Sequence, residues 1–364
     1  MVDIPQIIFS AEHGYRAKRP FMDGHQAICS ALFTEKIMKR ARNCLVLGVF
    51  IIFSGSLFFL NNGWAGGSSV YPNGAEFSLM GVAPPPGFYF ANYLTLITAD
   101  KMTDDNGEDT HLLGHMSTEA EVARFVWVPD KLIFGGQYVS HLFVVFLNVD
   151  LKFNQPVGPR LKKHYSDTGT PYLIYAPFAI GYHLAGGKVH MILNPSDIYI
   201  PFGNTDKDNM ASLGRNFWTF EPVFAITFLP TSTCEISFKF MYDFSTSQKG
   251  YASAFGTCRR DPGEEFHFDY GISYAIASGL KIGIGGYYYK QTTEDNYSNI
   301  QEIFSGAGDL LKNSADNKSE VWAIGPGASY RYKKWFFTLR ALFDADSKNT
   351  MEGRRYWFTL LYAF

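Results

Sequence analysis

Three residues whose side chains could bind a metal or take part in catalysis occur at alternating positions: Glu265, His267 and Asp269. On a β-strand this spacing places all three on one face. A metal centre needs three or four ligands that converge from several directions, and nothing else in the sequence marks such a site. A catalytic set would need a nucleophile, and Ser237 and Ser273 are the nearest candidates on neighbouring positions. We therefore expect no metal, no cofactor and no catalytic residue here.

A second polar face lies in residues 234–243, where Glu235, Lys239 and Asp243 alternate with apolar side chains. If 234–243 and 265–276 form one hairpin, Asp243 lies near Glu265 and Lys239 lies near Asp269. Opposite charges across a strand pair stabilise it modestly, and rings of charge can select solutes in a pore. Both interpretations, a structural ion-pair network and a selectivity site, remain open at this point.

The same period-two pattern recurs along most of the chain and predicts twelve strands. Most span about ten to thirteen residues, close to the roughly 9–11 residues that a tilted strand needs to cross a bilayer. The predicted strands are 88–100, 119–128, 132–150, 172–184, 188–202, 217–229, 233–245, 264–276, 280–292, 320–332, 335–345 and 355–364.

The connections between these strands alternate between short and long. Five are short (129–131, 185–187, 230–232, 277–279 and 333–334), and six are longer and polar (101–118, 151–171, 203–216, 246–263, 293–319 and 346–354). This alternation is typical of an up-and-down outer-membrane β-barrel, whereas a soluble β-sandwich gives no reason for it. We predict an all-β transmembrane antiparallel barrel over residues 88–364, located in the bacterial outer membrane.

In such a barrel the apolar face meets lipid and the charged face lines the bore. Twelve strands lie between the filled eight-stranded barrels and the open 16–18-stranded pores, so the bore is either narrow or plugged. The expected bore-lining or selectivity residues are Arg124, Glu221, Glu235, Lys239, Asp243, Glu265, His267, Asp269, Lys281 and Arg340.

Composition excludes several classes of protein. Of the 364 residues, 18% are charged and 17% are aromatic, which excludes an intrinsically disordered chain. The 32 basic and 34 acidic residues give a net charge of −2, so no basic excess indicates nucleic acid as a partner. A mean hydropathy of −0.08 argues against a bundle of membrane helices.

The N-terminal part has the pattern of a secretory signal. The uncharged run 44–60 follows the basic residues of 39–42, and small residues precede a predicted cleavage after Ala65. A retained membrane anchor is the alternative. Because the stretch before the signal is unusually long, Met38 is a more ordinary start, and we assign 1–65 to an upstream extension plus signal peptide.

Residues 66–87 are rich in proline and glycine and cannot form a barrel strand, because proline lacks the N–H that the ladder needs. This segment lies in the periplasm or folds into the barrel as a plug. At the other end of the chain, Tyr362 and Phe364 close an alternating apolar strand, which predicts recognition by barrel-assembly machinery. Cys234 and Cys258 fall at opposite ends of the barrel, about 25 Å apart, so we expect no disulfide between them.

Several stretches together resemble one family. They are residues 71–90 (YPNGAEFSLMGVAPPPGFYF), 124–128 (RFVWV), 135–138 (GGQY), 214–222 (GRNFWTFEP), 239–244 (KFMYDF), 264–270 (EEFHFDY), 286–291 (GYYYKQ) and 323–326 (AIGP). The family is the group described as proteins of the meta-pathway of phenol degradation, which includes sphingosine-induced outer-membrane proteins. The resemblance runs over nearly all of 66–364 and implies an outer-membrane barrel that handles aromatic or long-chain apolar compounds. It supplies no catalytic residues.

The function expected from these observations is passive passage or uptake of small hydrophobic or aromatic compounds across the outer membrane. A lipid-modifying enzyme is one alternative, although no G-x-S-x-G motif occurs in the sequence. A structural or adhesive surface barrel is the other. The expected partners are outer-membrane lipid, barrel-assembly machinery and small apolar or aromatic solutes, with no nucleic acid.

Overall fold

The structure is a computed structural model that describes residues 71–158, 161–302 and 305–364. The predicted extension, signal peptide and cleavage after Ala65, like the start of the 66–87 segment, lie outside these ranges. In chain order the strands are β1 (Gly87–Met102), β2 (Leu113–Val128), β3 (Leu132–Ile133), β4 (Gly136–Val157), β5 (Lys162–Gly169), β6 (Tyr172–Leu184), β7 (Val189–Pro201), β8 (Thr219–Phe228), β9 (Cys234–Ser245), β10 (Gln248–Ser253), β11 (Gly256–Asp261), β12 (Glu265–Ala277), β13 (Leu280–Gln291), β14 (Asn296–Glu302), β15 (Glu320–Tyr332), β16 (Trp335–Lys348) and β17 (Met351–Ala363). The helix α1 spans Ala307–Asn313, and a 3-10 turn spans Ala185–Gly187.

Twelve strands form a closed antiparallel barrel in the order β1, β2, β4, β6, β7, β8, β9, β12, β13, β15, β16, β17. The last strand pairs with the first, so that Tyr89 lies opposite Ala363, and this pairing closes the ring. Closure leaves the barrel without an edge strand, which a lipid environment demands. The predicted fold class and strand number are therefore confirmed.

The two faces of the strands divide as the alternation predicts. Along β9, Glu235, Lys239 and Asp243 are buried, while Phe238 and Phe240 on the opposite face are partly exposed. The register also pairs Asp243 with Glu265 and Lys239 with Asp269, as expected from the hairpin.

A stripe of aromatic rings crosses five neighbouring strands on the outer face. Neighbouring rings of this stripe lie 5.5–6.2 Å apart, in the order Phe224, Phe240, Phe268, Tyr288 and Trp322. Such a surface is expected where a barrel meets lipid.

Strand boundaries differ most from the prediction at the end with the long connections. β2 begins at Leu113 rather than 119, and β4 continues to Val157 rather than 150. The predicted long loop 346–354 is wrong, because β16 and β17 continue until only Asn349 and Thr350 separate them. β16 and β17 extend beyond the length needed to cross the bilayer, so the connection between them is short. The predicted alternation of loop lengths therefore fails at this hairpin.

The long connections also contain structure that the polar composition concealed. β5 extends the sheet by pairing with the outer part of β4. β10, β11 and β14 form a separate three-stranded sheet, and α1 follows β14. None of the helices within the described ranges has the length and hydrophobicity required to span a bilayer.

Candidate functional site in the barrel bore

The first described residues, 71–83, run among the inward-facing side chains of the barrel. Their backbone has no strand partner, so its polar groups need partners elsewhere. Asp269, which is fully buried on β12, is a partner for two of these backbone groups and for one side-chain hydroxyl. Its carboxylate accepts hydrogen bonds from the Tyr71 hydroxyl (2.8 Å), the Gly74 amide (2.7 Å) and the Glu76 amide (2.9 Å).

Arg340 on β16 binds the carbonyls of the same turn. Its guanidinium donates to the backbone oxygens of Gly74, Ala75 and Glu76, and only 3% of the residue is exposed. The anionic Asp269 therefore binds amides of the segment, while the cationic Arg340 binds its carbonyls. Charged partners make such hydrogen bonds stronger than neutral ones.

Two further anchors hold the segment to the wall. Glu235 accepts a hydrogen bond from the Leu79 amide and forms an ion pair with Lys281, both at 2.5 Å. Arg124 donates to Glu76 at 3.2 Å. Ten bore residues were predicted, and five of them (Arg124, Glu235, Asp269, Lys281 and Arg340) thus belong to the network around this segment.

Phe77 packs against glycines of the barrel wall, where any larger residue would clash with it. A β-carbon added to Gly271 would lie 2.0 Å from the Phe77 carbonyl oxygen, and one added to Gly285 or Gly327 would lie 2.8 Å from its ring. These distances are far below van der Waals contact. Glycine on β12, β13 and β15 therefore lets the segment approach the strand backbone, and Phe77 is only 3% exposed.

The remaining predicted residues lie beside the segment. The ammonium of Lys239 is 4.4 Å from the centre of the Tyr71 ring. His267 Nε2 lies 3.5 Å from Glu221 Oε2 and 3.4 Å from Asp243 Oδ2. Glu265 is the neighbour of Asp243 across the strand pair, and all of these residues are buried.

Sequence reasoning missed a buried pair on the adjoining wall. His141 on β4 contacts Asp197 on β7 at 2.8 Å, and Asn194 donates to the same carboxylate at 2.7 Å. A signal was present in the sequence, since 194–197 (NPSD) interrupts the apolar alternation of that strand. The pairing of β4 with β6, and of β6 with β7, was needed to bring His141 to it.

Two of the cavities among the described residues lie toward opposite ends of the barrel. The larger, of about 540 Å³, opens among the extended strands and long connections, and its lining mixes polar and charged side chains with methionine and aromatic ones. The other, of about 310 Å³, lies at the short-turn end against Phe77, Met80 and Val82 of the segment. A void of only about 30 Å³ is lined by residues of the segment and the wall, among them Tyr71, Lys239 and Trp357.

Of the two serines considered for catalysis, Ser273 has no hydrogen-bond partner among the described residues, and Ser237 is engaged elsewhere. Ser237 donates to Glu235 at 2.9 Å and shares a hydrogen bond of 2.8 Å with Thr227. Across the described ranges neither ring nitrogen of His267 has a hydrogen-bond partner, so no serine is joined to it. The geometry needed to activate a nucleophile is therefore not assembled at His267.

Comparison with solved structures gives the COG4313 outer membrane channel from Pseudomonas putida F1, with a TM-score of 0.65 and 14% identity over 78% of this chain and 97% of that one. The TodX deltaS2S3 mutant monoaromatic hydrocarbon channel gives 0.41 and 11% identity over 77% of this chain and 91% of that one. The beta domain of the Bordetella autotransporter BrkA gives 0.42 and 10% identity over 77% of this chain and 100% of that one. The first likeness establishes an outer-membrane barrel fold.

Comparison with curated protein sequences gave no match. A family model matches residues 99–360, which is most of the chain and nearly all of the barrel. The chain therefore belongs to the family described as "Putative MetA-pathway of phenol degradation".

Proposed function

We propose that this barrel carries small hydrophobic or aromatic compounds across the outer membrane and that residues 66–87 act as its plug. The observation that carries the proposal is the largely apolar cavity of about 310 Å³ that residues 75–80 of the segment help to line. An apolar solute gains nothing from a continuous water-filled pore. A largely apolar compartment beside a segment that occupies the bore suits such a cargo better.

The cavity at the short-turn end has the size and lining for small aromatic molecules. A dry apolar cavity of about 150 Å³ is sufficient to bind benzene, and this cavity exceeds that volume. The lining at the short-turn end includes Val126, Val139, Ile192 and Leu361. Family membership is consistent with this cargo, since the family's description names a pathway of phenol degradation.

In this proposal the charged bore residues act chiefly as anchors of the plug. Asp269, Arg340 and Glu235 each bind backbone groups of the segment. A ring of charge that selected solutes would instead leave its groups facing open water. The structural interpretation of the network is therefore favoured over the selectivity site.

Two measurements on the purified protein test the proposal. Deletion of 66–87 is expected to raise single-channel conductance in planar bilayers, because the segment occupies the bore. Unchanged conductance would rule out the plug.

Proteoliposomes test the cargo. Uptake of toluene or benzoate is expected to exceed uptake of a sugar of similar size, and a long-chain fatty acid serves as a second apolar probe. Equal permeation of sugar and aromatic compound would contradict an apolar route while leaving the plug intact.

A further inference from the structure

The bore contains a cluster of ligand-type side chains that plays no part in holding residues 71–83 through backbone hydrogen bonds. Glu221 lies on β8, Asp243 on β9 and His267 on β12, which are successive strands of the wall. One oxygen or nitrogen from each lies within 4.8 Å of the others. All three residues are at most 2% exposed. Three ligands from three strands converge here, which alternation along one strand could not provide.

The register explains how these side chains meet. β8 and β9 pair Phe220 with Phe244 and Val223 with Met241, so the intervening inward positions Glu221 and Asp243 lie side by side. β12 pairs its Glu265 with Asp243 and its His267 with Met241. His267 is therefore the next inward residue along β12 from the position opposite Asp243.

This arrangement is costly without a cation. Like charges directly across a strand pair destabilise it, and buried charges need compensating partners. Both oxygens of Asp243, both ring nitrogens of His267 and Oε1 of Glu221 have no hydrogen-bond partner among the described residues. Of the two arginines that lie near these residues in the sequence, Arg260 already binds Asp295 at 2.8 Å. The guanidinium of Arg215 lies over the rings of Tyr172 and Phe217.

The distances fit a shared ion better than an ion pair. A protonated histidine donating to a carboxylate would place nitrogen and oxygen about 2.7–2.9 Å apart. His267 Nε2 is instead 3.4 Å from Asp243 Oδ2 and 3.5 Å from Glu221 Oε2. Two ligand atoms each about 2.1 Å from one tetrahedral ion lie about 3.4 Å apart.

We propose that Glu221, Asp243 and His267 form a binding site for a divalent transition-metal ion such as Zn²⁺. Two carboxylates and a neutral imidazole balance a charge of +2. The imidazole nitrogen favours a transition metal over Mg²⁺ or Ca²⁺, which prefer six or more oxygen ligands. The Tyr199 hydroxyl donates to Glu221 Oε2 at 2.9 Å and orients that carboxylate, as partners of metal ligands commonly do.

The bound ion would join three strands of the wall directly beside the bore segment, because the His267 ring lies 5.2 Å from the Tyr71 ring. The site does not depend on the transport proposal, since its ligands come from barrel strands only.

The test uses the full barrel in detergent, stripped with chelator and then titrated with Zn²⁺. We expect one equivalent to remain after desalting and the melting temperature to rise with added Zn²⁺ but not with Mg²⁺. Co²⁺ in place of Zn²⁺ is expected to give the visible absorption of a four-coordinate ion.

The variants His267→Gln and Asp243→Asn are expected to weaken Zn²⁺ binding at least 100-fold. The matched control is His190→Gln, which changes another buried bore histidine whose ring contacts His183 and the Gly187 carbonyl instead. Folding of each variant is checked by its heat-dependent mobility on a gel, and Glu221→Gln replaces any variant that does not fold. Absence of a retained equivalent in the wild type, or equal loss of binding in His190→Gln, would overturn the site.

Discussion

Residues 71–83 in the bore and the three-stranded sheet β10–β11–β14 outside the barrel are both additions to the twelve-stranded wall, but different forces hold them. The bore segment lies apart from any strand ladder, and its backbone is bound by charged side chains of the wall. The external sheet has its own ladder, in which Arg260 pairs with both Gln248 and Tyr297 across its two neighbours.

The external sheet adds a small core and a buried ion pair to that ladder. Asp295 binds Arg260 at 2.8 Å and also accepts hydrogen bonds from the Tyr297 hydroxyl and the Gly263 amide, both at 2.8 Å. Cys258 and Leu311 pack beside Tyr297. Contacts among its own strands and the adjoining loops therefore hold the external sheet together.

Under the proposed plug role, the difference indicates which addition can be displaced. A segment bound mainly through side chains can be released without breaking any strand pairing, whereas the external sheet must unfold before it can move. Four experiments test that contrast, from the largest expected effect to the smallest.

Replacing Asp269 with alanine removes the acceptor of three hydrogen bonds. Hydrogen bonds to a charged group contribute about 1.5–3 kcal/mol each. Residues 71–83 are therefore expected to bind the barrel wall much more weakly. Bilayer conductance should approach that of the 66–87 deletion, with Asp269→Asn intermediate. The control is Glu121→Gln, which removes a carboxylate from the outer face, where it binds Asn92. Equal conductance in Asp269→Ala and wild type would refute the anchoring role.

Breaking the Arg260–Asp295 pair leaves one buried charge uncompensated, which costs about 3–5 kcal/mol. For Arg260→Met we expect trypsin to cleave within β10–β11 while the barrel keeps its heat-dependent mobility. Conductance should change far less than in Asp269→Ala. The double variant Arg260→Met with Asp295→Leu should recover much of the protease resistance, and a failure to recover would show that the pair is not the main support.

Truncating Phe77 to alanine tests its close packing against Gly271, Gly285 and Gly327. Loss of a buried phenylalanine lowers the free energy of unfolding by about 3–5 kcal/mol. Here part of that loss weakens the binding of residues 71–83 to the bore rather than the stability of the barrel. We expect increased conductance and a small fall in the melting temperature of the barrel. Phe224→Ala on the lipid face is the matched control and should leave conductance unchanged. The contrast between the two regions would weaken if Phe77→Ala lowered barrel stability without opening the bore.

Cys258 reports on the closure of the external sheet. Burial raises the pKa of its thiol from 9.0 to about 12, with Asp295 adding to the shift and Arg260 opposing it. The reactive thiolate is therefore scarce, and alkylation in the native protein at pH 8 should be slow. Because the folded thiol keeps its proton longer than the unfolded one, its contribution to stability is present below about pH 9 and is lost as the pH rises towards about 12. The rate of Cys258 alkylation is measured by mass spectrometry in the native protein and in Arg260→Met. Fast alkylation in the native protein would show that the external sheet leaves Cys258 accessible.

Local alternation was enough to predict much of the wall. The residues of 234–243 and 265–276 settle which side chains face the bore, because a side-chain period of two allows no other assignment once lipid surrounds the barrel. It also placed Lys239 across from Asp269. The external strands were not predictable in this way, since β10, β11 and β14 are short and polar and form only because partner strands lie beside them.

The sequence by itself determined the strand number, the orientation of each face and the unsuitability of 71–86 as a strand, since all three follow from neighbouring residues and from proline's missing N–H. Only the tertiary structure decided where residues 71–83 lie and which polar groups meet. Asp269 and Gly74 are 195 positions apart in the chain, and the convergence of Glu221, Asp243 and His267 depends on the register of three strands. Closure of the ring sets those distances, and closure is a property of all twelve strands together.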